Sequence, residues 1–464
     1  MASFDSALRA HQAGRLDEAE ALYEAVLGPD PGHATALQML GVLHAQRGDF
    51  ARARARIDAA IDAQPDNATI WVSFAEILNA SAKAAAGVQF RDALSSHASP
   101  TVPLVDIGRR LLARNLTEEA TAAFELALAD SPGSAAALEG LGAAKQRLGD
   151  DAAAIDAFEQ AIARDPNSRL AHANLGTLLL QVGRLDDAIA QIRGAITLIP
   201  GLAGLHANLG QALCQSGQAD AAIAAYDTAL GLDPYMTQAT AGKIIAQGLR
   251  DNDHAAVMPA LDYDRILAGT QITHVPGYAS VAAFNDALVD AVLKDPDLTS
   301  DPSDKTTRIG AQTGELLGPR AGPFAALETL LSNTAATYLR HLASLGSAFP
   351  VPVPAQWTLS AWGTVLDSGG HQEPHNHPGQ FASGVYYVQM PDRLDPAGGP
   401  DQGAIEFGRP PAALGPPPGA LKLVRPRTGM LVLFPSYLWH RTIPCHGDRP
   451  RISIAFDIQP LAGA

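Results

Sequence analysis

Cysteine is nearly missing from this chain: Cys214 and Cys445 are the only two in 464 residues, and their positions are unrelated. No disulfide framework and no paired-cysteine zinc site can be built from them, which points to a reducing, cytoplasmic setting and a fold held by packing. Positive charge is also short. Lys and Arg number 33 against 48 Asp and Glu, giving a formal charge of −15 and a pI near 5.3; this excludes nucleic acid or an anionic membrane as a general partner. No uninterrupted apolar run reaches the ~18 residues of a membrane-crossing helix. The opening residues, Met-Ala-Ser-Phe-Asp-Ser-Ala, have neither the basic start nor the apolar stretch expected of a secretory leader. What remains is a globular composition, 47% hydrophobic and 17% charged, with length for two or three domains. Alanine is dense in the first half and thin in the second, which implies two architectures.

The first half repeats itself. Pro132, Pro166, Pro200 and Pro234 fall 34 residues apart, as do Pro31 and Pro65. Leu-Gly pairs recur in phase at Leu40-Gly41, Leu141-Gly142, Leu175-Gly176 and Leu209-Gly210. A second glycine follows each pair (Gly48, Gly149, Gly183, Gly217), then an alanine (Ala53, Ala154, Ala188, Ala222), then Ile57, Phe158, Ile192 or Tyr226. Apolar residues at three- and four-residue spacing give a helix one buried stripe. The pattern therefore describes a helix, a glycine turn, a second helix and a proline stop. Clear units occupy 33–66, 134–167, 168–200 and 201–234, with further ones at 4–32 and 105–133. The stretch 68–100 is degenerate, and Ser95–Pro100 reads as a break between two stacks. Residues 235–262 lack the Leu-Gly pair and read as a cap. His172 and His206 share a repeat position and read as groove or packing residues rather than metal ligands.

After about Asp262 the period is lost. Residues 280–294 and 323–345 read as amphipathic helices, the first with Val281, Phe284, Leu288 and Val292 on one face, the second with Leu330, Ala336, Leu339 and Leu342 buried. Thr307–Thr313 reads as extended. Short apolar runs bounded by Gly and Pro then predict strands at 357–365, 383–389, 404–407, 429–434 and 451–458. Helices packed on an antiparallel double sheet fit this order: a jelly roll.

The chemistry concentrates between Ser368 and Asp457. Residues two apart on a regular strand share a face, so His371, Glu373, His375 and His377 are expected to point the same way. Two such neighbours plus one histidine from a distant strand form the three-ligand set that holds non-haem Fe(II) with open positions. His440 supplies the distant ligand, presented by a loop after the apolar strand that ends at Phe434. Arg451 and Ser453 share one face of the last strand, opposite Ile452, Ile454 and Phe456. A buried guanidinium needs an anion, and with an adjacent hydroxyl it suits a carboxylate. Arg449 competes for that role but lies outside the alternation. Trp362, Tyr437 and Trp439 read as packing residues, and Cys445 and His446 as loop residues.

The repeats resemble the tetratricopeptide repeat, whose stacked helix pairs form a solenoid with a groove that commonly holds a protein or peptide. Pro374-His-x-His-Pro378 with Ser383-Gly-Val-Tyr-Tyr-Val388, then Gly429-x-Leu-Val-Leu-Phe-Pro-Ser-x-Leu-x-His440, then Arg451-Ile-Ser-Ile-Ala-Phe456 resemble the 2-oxoglutarate/Fe(II) oxygenase family. That similarity extends through Phe284-Asn285, Thr307-Arg308 and Gln312-Thr313, over about 265–460.

The two resemblances imply a multidomain protein. Residues 1–262 form an all-α tetratricopeptide solenoid, irregular near 68–104 and capped by 235–262, and residues 263–464 form a double-stranded β-helix (jelly-roll) domain with flanking helices. The cofactors implied are Fe(II), 2-oxoglutarate and O2, and the reaction is decarboxylation of 2-oxoglutarate to succinate and CO2 coupled to oxidation, usually hydroxylation, of a substrate. Carried over by position, His375, His377 and His440 are the metal ligands. Arg451 and Ser453 bind the distal carboxylate of 2-oxoglutarate, and Tyr387 (or Tyr386) donates a hydrogen bond to it. One position departs from the wider pattern, because the usual Asp or Glu two residues after the first His is His377. Either the iron has three His ligands, or the pair is His371 and Glu373; the first is preferred because Pro374-His-Asn-His-Pro378 carries the resemblance. A non-catalytic adaptor, a three-His iron oxygenase that needs no 2-oxoglutarate, and an oxygenase of small molecules remain open.

Overall fold

Glycines one repeat apart shape the helical part. In the computed structural model Gly14, Gly48, Gly149, Gly183 and Gly217 all lie at φ between 73° and 79°, the left-handed region that only glycine enters without strain. Asn115 takes the same role at φ 59°, as asparagine can. Each turns one helix back on the next. The degenerate stretch lacks this glycine as well as the Leu-Gly pair: 34 residues after Leu40-Gly41 stand Phe74-Ala75, and 34 after Gly48 stands Ala82. The chain still reverses there: Ala82, non-helical at φ −158°, divides Ala68–Ser96 into two helical arms, and the second returns along the first, with the Phe90 ring 6.0 Å from those of Trp71 and Phe74 and His97 5.7 Å from Trp71.

The structure describes residues 3–97, 102–251, 257, 260–302, 305–395 and 398–461, in two compact units, 1–184 and 185–464. The first unit is all helix, from Phe4–Gln12 to Arg169–Gln181. Its helices start on side-chain caps such as Asp49, Ser134, Asp150 and Ser168, which satisfy otherwise unpaired backbone N–H groups. The phased glycines and aromatics explain one another: a Cβ on Gly108 or Gly140 would lie 2.7 or 2.2 Å from the Phe124 ring, and one on Gly142 2.7 Å from Phe158. The ring occupies the space a side chain would need, so the helices approach closely. The break predicted at 95–100 falls partly outside the described residues: the helix ends at Ser96, and 98–100 are not described.

The second unit opens with four more repeat helices, Leu185–Leu198, Ala203–Gln215, Ala219–Leu232 and Thr237–Asp251. Tyr226 fits between Gly210 and Gly242 as Phe124 does between its glycines. Of the expected cap, residues 252–256 and 258–259 lie outside the described set. His172 and His206 each bond the carbonyl of the proline six residues back, Pro166 and Pro200; Trp71 does the same to Pro65, a turn-fastening role.

The sheet of this unit comprises β1 (Ala268–Gln271), β2 (Thr299–Ser300), β3 (Thr307–Gln312), β4 (Trp357–His375), β5 (Ala382–Gln389), β6 (Ile405–Phe407), β7 (Lys422–Val424), β8 (Met430–Pro435), β9 (His440–Thr442) and β10 (Arg451–Pro460). All pairs are antiparallel in the order β1-β8-β5-β10-β4-β9-β6-β7, with β3 also on β4 and β2 on β3. The sheet curls into the double-sided jelly roll because β4 serves both sides. Its first ten residues pair with β10, and its last ones with β9. Between them Gly369 is left-handed at φ 86° and Ile309 of β3 at φ 54°. Register shifts fall at Arg308/Gly310 and Gln372/His375. Such bulges bend a strand and re-aim its side chains.

Helices Val281–Leu293 and Pro323–Ser344 cover the outer face, burying Phe284, Leu288 and Val292 with Ile452, Ile454, Phe456 and Tyr386 in one core. In the longer helix the buried residues are Phe324, Leu327, Leu331, Ala335, Tyr338, Leu339 and Leu342. Leu330 and Ala336, expected inside, are only partly buried, because Leu331 and Ala335 hold the i, i+4, i+8 line that starts at Leu327. Among the described residues no helix is long and apolar enough to cross a membrane.

Candidate metal and co-substrate site

The inner face is written by alternation along β10. Arg451, Ser453, Ala455 and Asp457 face inward, while Ile452, Ile454, Phe456 and Ile458 are buried in the helix-covered core. Ser453 stands opposite Thr364 of β4 and Tyr387 of β5, so a row of three hydroxyls crosses the sheet beside the guanidinium. Tyr386, one residue earlier, points the other way and donates to Asn285 Oδ1 at 2.6 Å, so of the two tyrosines it is Tyr387 that lines the cavity.

At one end of this face His375, His377 and His440 converge, with a ligating atom from each all within 4.8 Å of one another. His375 closes β4, and His440 opens β9 directly across from it, on a strand rather than in the loop the sequence suggested. His377 follows in the turn after β4, its backbone N–H on Ser436 O. Each Nδ1 meets an oxygen that can only accept. For His375 it is Glu373 O at 2.7 Å, for His440 Leu438 O at 3.1 Å, and for His377 the carboxylate Asp457 Oδ1 at 2.7 Å. Each Nδ1 therefore carries the proton, and each Nε2 is left with its lone pair free. The rings are close, with centroids 4.3–5.2 Å apart. Burial and the neighbouring His377 push the His375 pKa down to about 4, and burial with both neighbours holds that of His440 well below the usual range. Both are neutral imidazoles near pH 7, the form that binds a divalent ion.

Asp457 escaped the sequence reading. It is buried, accepts from His377, and also takes a 2.7 Å hydrogen bond from Ser383 Oγ, which in turn contacts Ser436 Oγ. The alternation Arg451-x-Ser453-x-Ala455-x-Asp457 was its available signal. A carboxylate behind a ligating imidazole fixes the ring's tautomer and orientation and strengthens it as a donor.

The runner-up pair lies elsewhere. Glu373 is exposed and pairs with Arg308 at 3.1 Å, and His371 contacts Gly369 O at 3.3 Å. The shift between Gln372 and His375 is the cause: three residues of β4 span two of β9, so Gln372 and His375 share the inner face and the phase of His371 and Glu373 is lost. Gln372 lines the cavity instead, bonded to Thr442 at 3.4 Å.

Arg451 sits at the other end of the cavity, fully buried, with no carboxylate partner among the described residues. Its Nη1 donates to Gly403 O at 3.0 Å, its guanidinium carbon lies 5.0 Å from the Tyr387 ring centre, and its Nε has no acceptor. Tyr387 Oη and Thr364 Oγ1 are likewise buried and unpaired. Trp362, read as packing, lines the same cavity and stacks on His377. Tyr437 does pack, donating to Ala260 O. Arg449 is engaged outside, on Met390 O and Asp392, which leaves Arg451 as the only guanidinium lining the cavity among the described residues.

Comparison with known proteins places these features. A family model described as "Putative 2OG-Fe(II) oxygenase" matches residues 360–457, and tetratricopeptide-repeat models match 10–74 and overlapping stretches from 105 to 237. A search of curated proteins returns no match. Similar solved structures include YrrB, described as a TPR protein with an unusual peptide-binding site (18% identity over 48% of this chain and 97% of that one, TM-score 0.31). They also include MamA (22%, 43% and 91%, TM-score 0.30) and a Pseudomonas putida prolyl-4-hydroxylase (15%, 45% and 100%, TM-score 0.32). The chain carries tetratricopeptide repeats within residues 10–237 and, C-terminal to them, a domain over 360–457 of the family described as "Putative 2OG-Fe(II) oxygenase".

Proposed function

We propose that this protein is an Fe(II)- and 2-oxoglutarate-dependent oxygenase, a hydroxylase in its usual outcome, whose repeats bind a protein or peptide. The observation that carries this reading is the combination of two incomplete sets in one cavity. Three imidazoles, each with its Nδ1 proton already committed, leave three Nε2 lone pairs for a divalent ion. A buried guanidinium with no carboxylate partner and an unmet Nε, beside two buried hydroxyls without partners, calls for an anionic acceptor such as a carboxylate. A buried charge without a counter-ion is costly, and a dicarboxylate chelating the metal at one end supplies the anion at the other.

In this reading His375, His377 and His440 hold the iron, Asp457 orients His377, and Arg451 with Ser453 receives the distal carboxylate while Tyr387 donates to it. Bound iron and 2-oxoglutarate would activate O2 and supply the oxidising power. The chain's own work is to hold both, to neutralise the co-substrate with Arg451, and to keep the cavity dry with Ile405, Phe434 and Val385. The domain limit near residue 262 is part of the same proposal.

The test is an anaerobic absorption spectrum of the protein mixed with Fe(II) and 2-oxoglutarate. A visible charge-transfer band in wild type that vanishes in His440→Ala and Arg451→Ala is the expected result. No band and no retained iron would sink the oxygenase reading in favour of an adaptor. Iron retained without a 2-oxoglutarate band would favour the three-His centre that needs no co-substrate, the alternative suggested by the all-imidazole ligand set.

A further inference from the structure

A second cavity of ≈ 280 Å³ adjoins the metal site within the same compact unit. Repeat helices supply one wall, with Gln211, Cys214, Tyr226, Gln238, Gly242 and Ile245. The other wall is Asn376, between the two histidines of the Pro374–Pro378 turn, with Pro378, Leu414 and Trp439, the residue before His440. Asn376 and Pro378 also line the open mouth in front of His375 and His377, so the two spaces share an edge.

Three features define what could fill it. First, no lining residue is charged; a phosphate, a free amino acid or a nucleotide would enter without a counter-charge, at a prohibitive desolvation cost. Second, the walls are mainly apolar. Third, unpaired buried polar atoms of both kinds belong to residues on and on either side of the shared edge: Asn376, on the edge, and Trp439, of the second cavity, have donors without acceptors (Nδ2 and Nε1), and Gln380, of the mouth, has an acceptor without a donor (Oε1). Each costs about 1–3 kcal/mol if left unmade. A hydrocarbon ligand would satisfy none of them, and a carboxylate would leave Gln380 unmet. A chain of amides offers carbonyls and N–H groups in turn, and an uncharged side chain between them suits the apolar walls.

We propose that this cavity is the substrate subsite: it receives a neutral side chain of an extended polypeptide, whose main-chain amides bond Trp439, Asn376 and Gln380 and whose neighbouring residue thereby lies before the metal. This rests on the oxygenase reading for what happens at the metal, but not for the binding itself. The subsite assigns the last repeats a direct part in recognition, since Gln211, Tyr226 and Ile245 belong to them.

The test measures binding of N-acetylated, C-amidated peptides of neutral sequence to the full-length protein, by fluorescence anisotropy of a labelled peptide, alongside the anaerobic iron–2-oxoglutarate spectrum. Two variants are informative. Trp439→Phe keeps an aromatic side chain, smaller than the indole, and removes its N–H donor, with an expected loss of about three- to tenfold in affinity. Leu414→Trp fills the cavity from the short turn Ala412–Leu414, with an expected loss of roughly tenfold or more. Retained melting temperatures separate these effects from misfolding. Failure of every capped peptide to bind wild type at millimolar concentration would overturn the proposal. So would equal binding by wild type and both variants, which would put recognition elsewhere. Competition by N-acetyl-leucine methylamide as strong as by whole peptides would replace the polypeptide by a small amide and overturn it too. If wild type shows no iron–2-oxoglutarate band but peptide binding still falls in both variants, the oxygenase reading fails and the subsite stands.

Discussion

The helices of residues 3–184 and the sheet of the second unit treat buried polarity in opposite ways. Among the described residues, the first unit contains one buried side-chain polar atom without a partner, Glu119 Oε2, whereas Tyr387, Thr364, Arg451, Asn376, Trp439 and Gln380 carry such atoms around the two cavities of the second. The repeats of the first unit hide Ala, Leu and single aromatic rings against glycine, and among their described residues only Glu119 Oε2 awaits a partner. The sheet holds hydroxyls, amides and a guanidinium in places where water cannot reach them. Buried groups are normally satisfied, so a cluster of exceptions marks where the protein is complete only with something bound. The repeats are built for stability, and the sheet's inner face for a ligand.

That contrast can be broken at several points, beginning with the largest effect. His440→Ala is expected to abolish iron retention. Arg451→Ala is expected to weaken 2-oxoglutarate binding by roughly 30-fold or more, the scale of losing a buried charge-assisted contact, as read by anaerobic titration. Unchanged affinity would mean that Arg451 serves only the fold. Next comes Asp457→Ala, which frees the His377 ring; iron affinity should fall about 10- to 100-fold in a competition with a chelator of known strength. An unaltered affinity would make Asp457 a structural residue alone.

Gly140→Ala tests the other side of the comparison. Its new methyl must displace the Phe124 ring, so a loss of about 1–3 kcal/mol in stability is expected from overpacking, with the iron–2-oxoglutarate band retained. A variant that melts normally would contradict the close approach on which the repeat packing rests. The smallest effect, near neutrality, is one of pH. His375 titrates near pH 4 in the folded chain, and His440 is also depressed, while both return to about 6.5 on unfolding. The unfolded state therefore binds more protons between these values. The metal-free protein should hold its full stability above pH 6.5 and lose it as the pH falls toward 4. A melting temperature that stays level across that window would contradict the buried, neutral state of these rings.

Much of this was legible in the sequence because it depends on local rules. The 34-residue phase located nearly every helix pair, and alternation along residues 451–457 put Arg451 and Ser453 on one face. The same rules failed where geometry departs from the ideal. A regular strand would align His371, Glu373, His375 and His377, but the bulge after Gln372 resets the phase, brings Gln372 inward and leaves Glu373 with Arg308. The alternation that found Arg451 also reaches Asp457, yet its meaning depends on His377, eighty residues earlier in the chain. Trp362 and Trp439 were read as packing because an aromatic beside a strand usually packs; only the folded chain brings one onto His377 and the other to the wall of a second cavity. The stretch 68–100 was visible as a lapse in the repeat, but not its outcome, since a missing turn glycine leaves open how the chain reverses; it does so at Ala82, in a non-helical conformation.

In the proposed reading Arg451, with Ser453 and Tyr387, receives the distal carboxylate of a 2-oxo acid held by the three histidines. The most direct measurement is an anaerobic calorimetric titration of the Fe(II)-loaded protein with 2-oxoglutarate and, separately, with 2-oxobutanoate, which has the same chelating end and no distal carboxylate. The account predicts binding of 2-oxoglutarate and a far weaker signal for 2-oxobutanoate, with the difference erased in Arg451→Ala. Equal affinity for the two acids in the wild-type protein would contradict it.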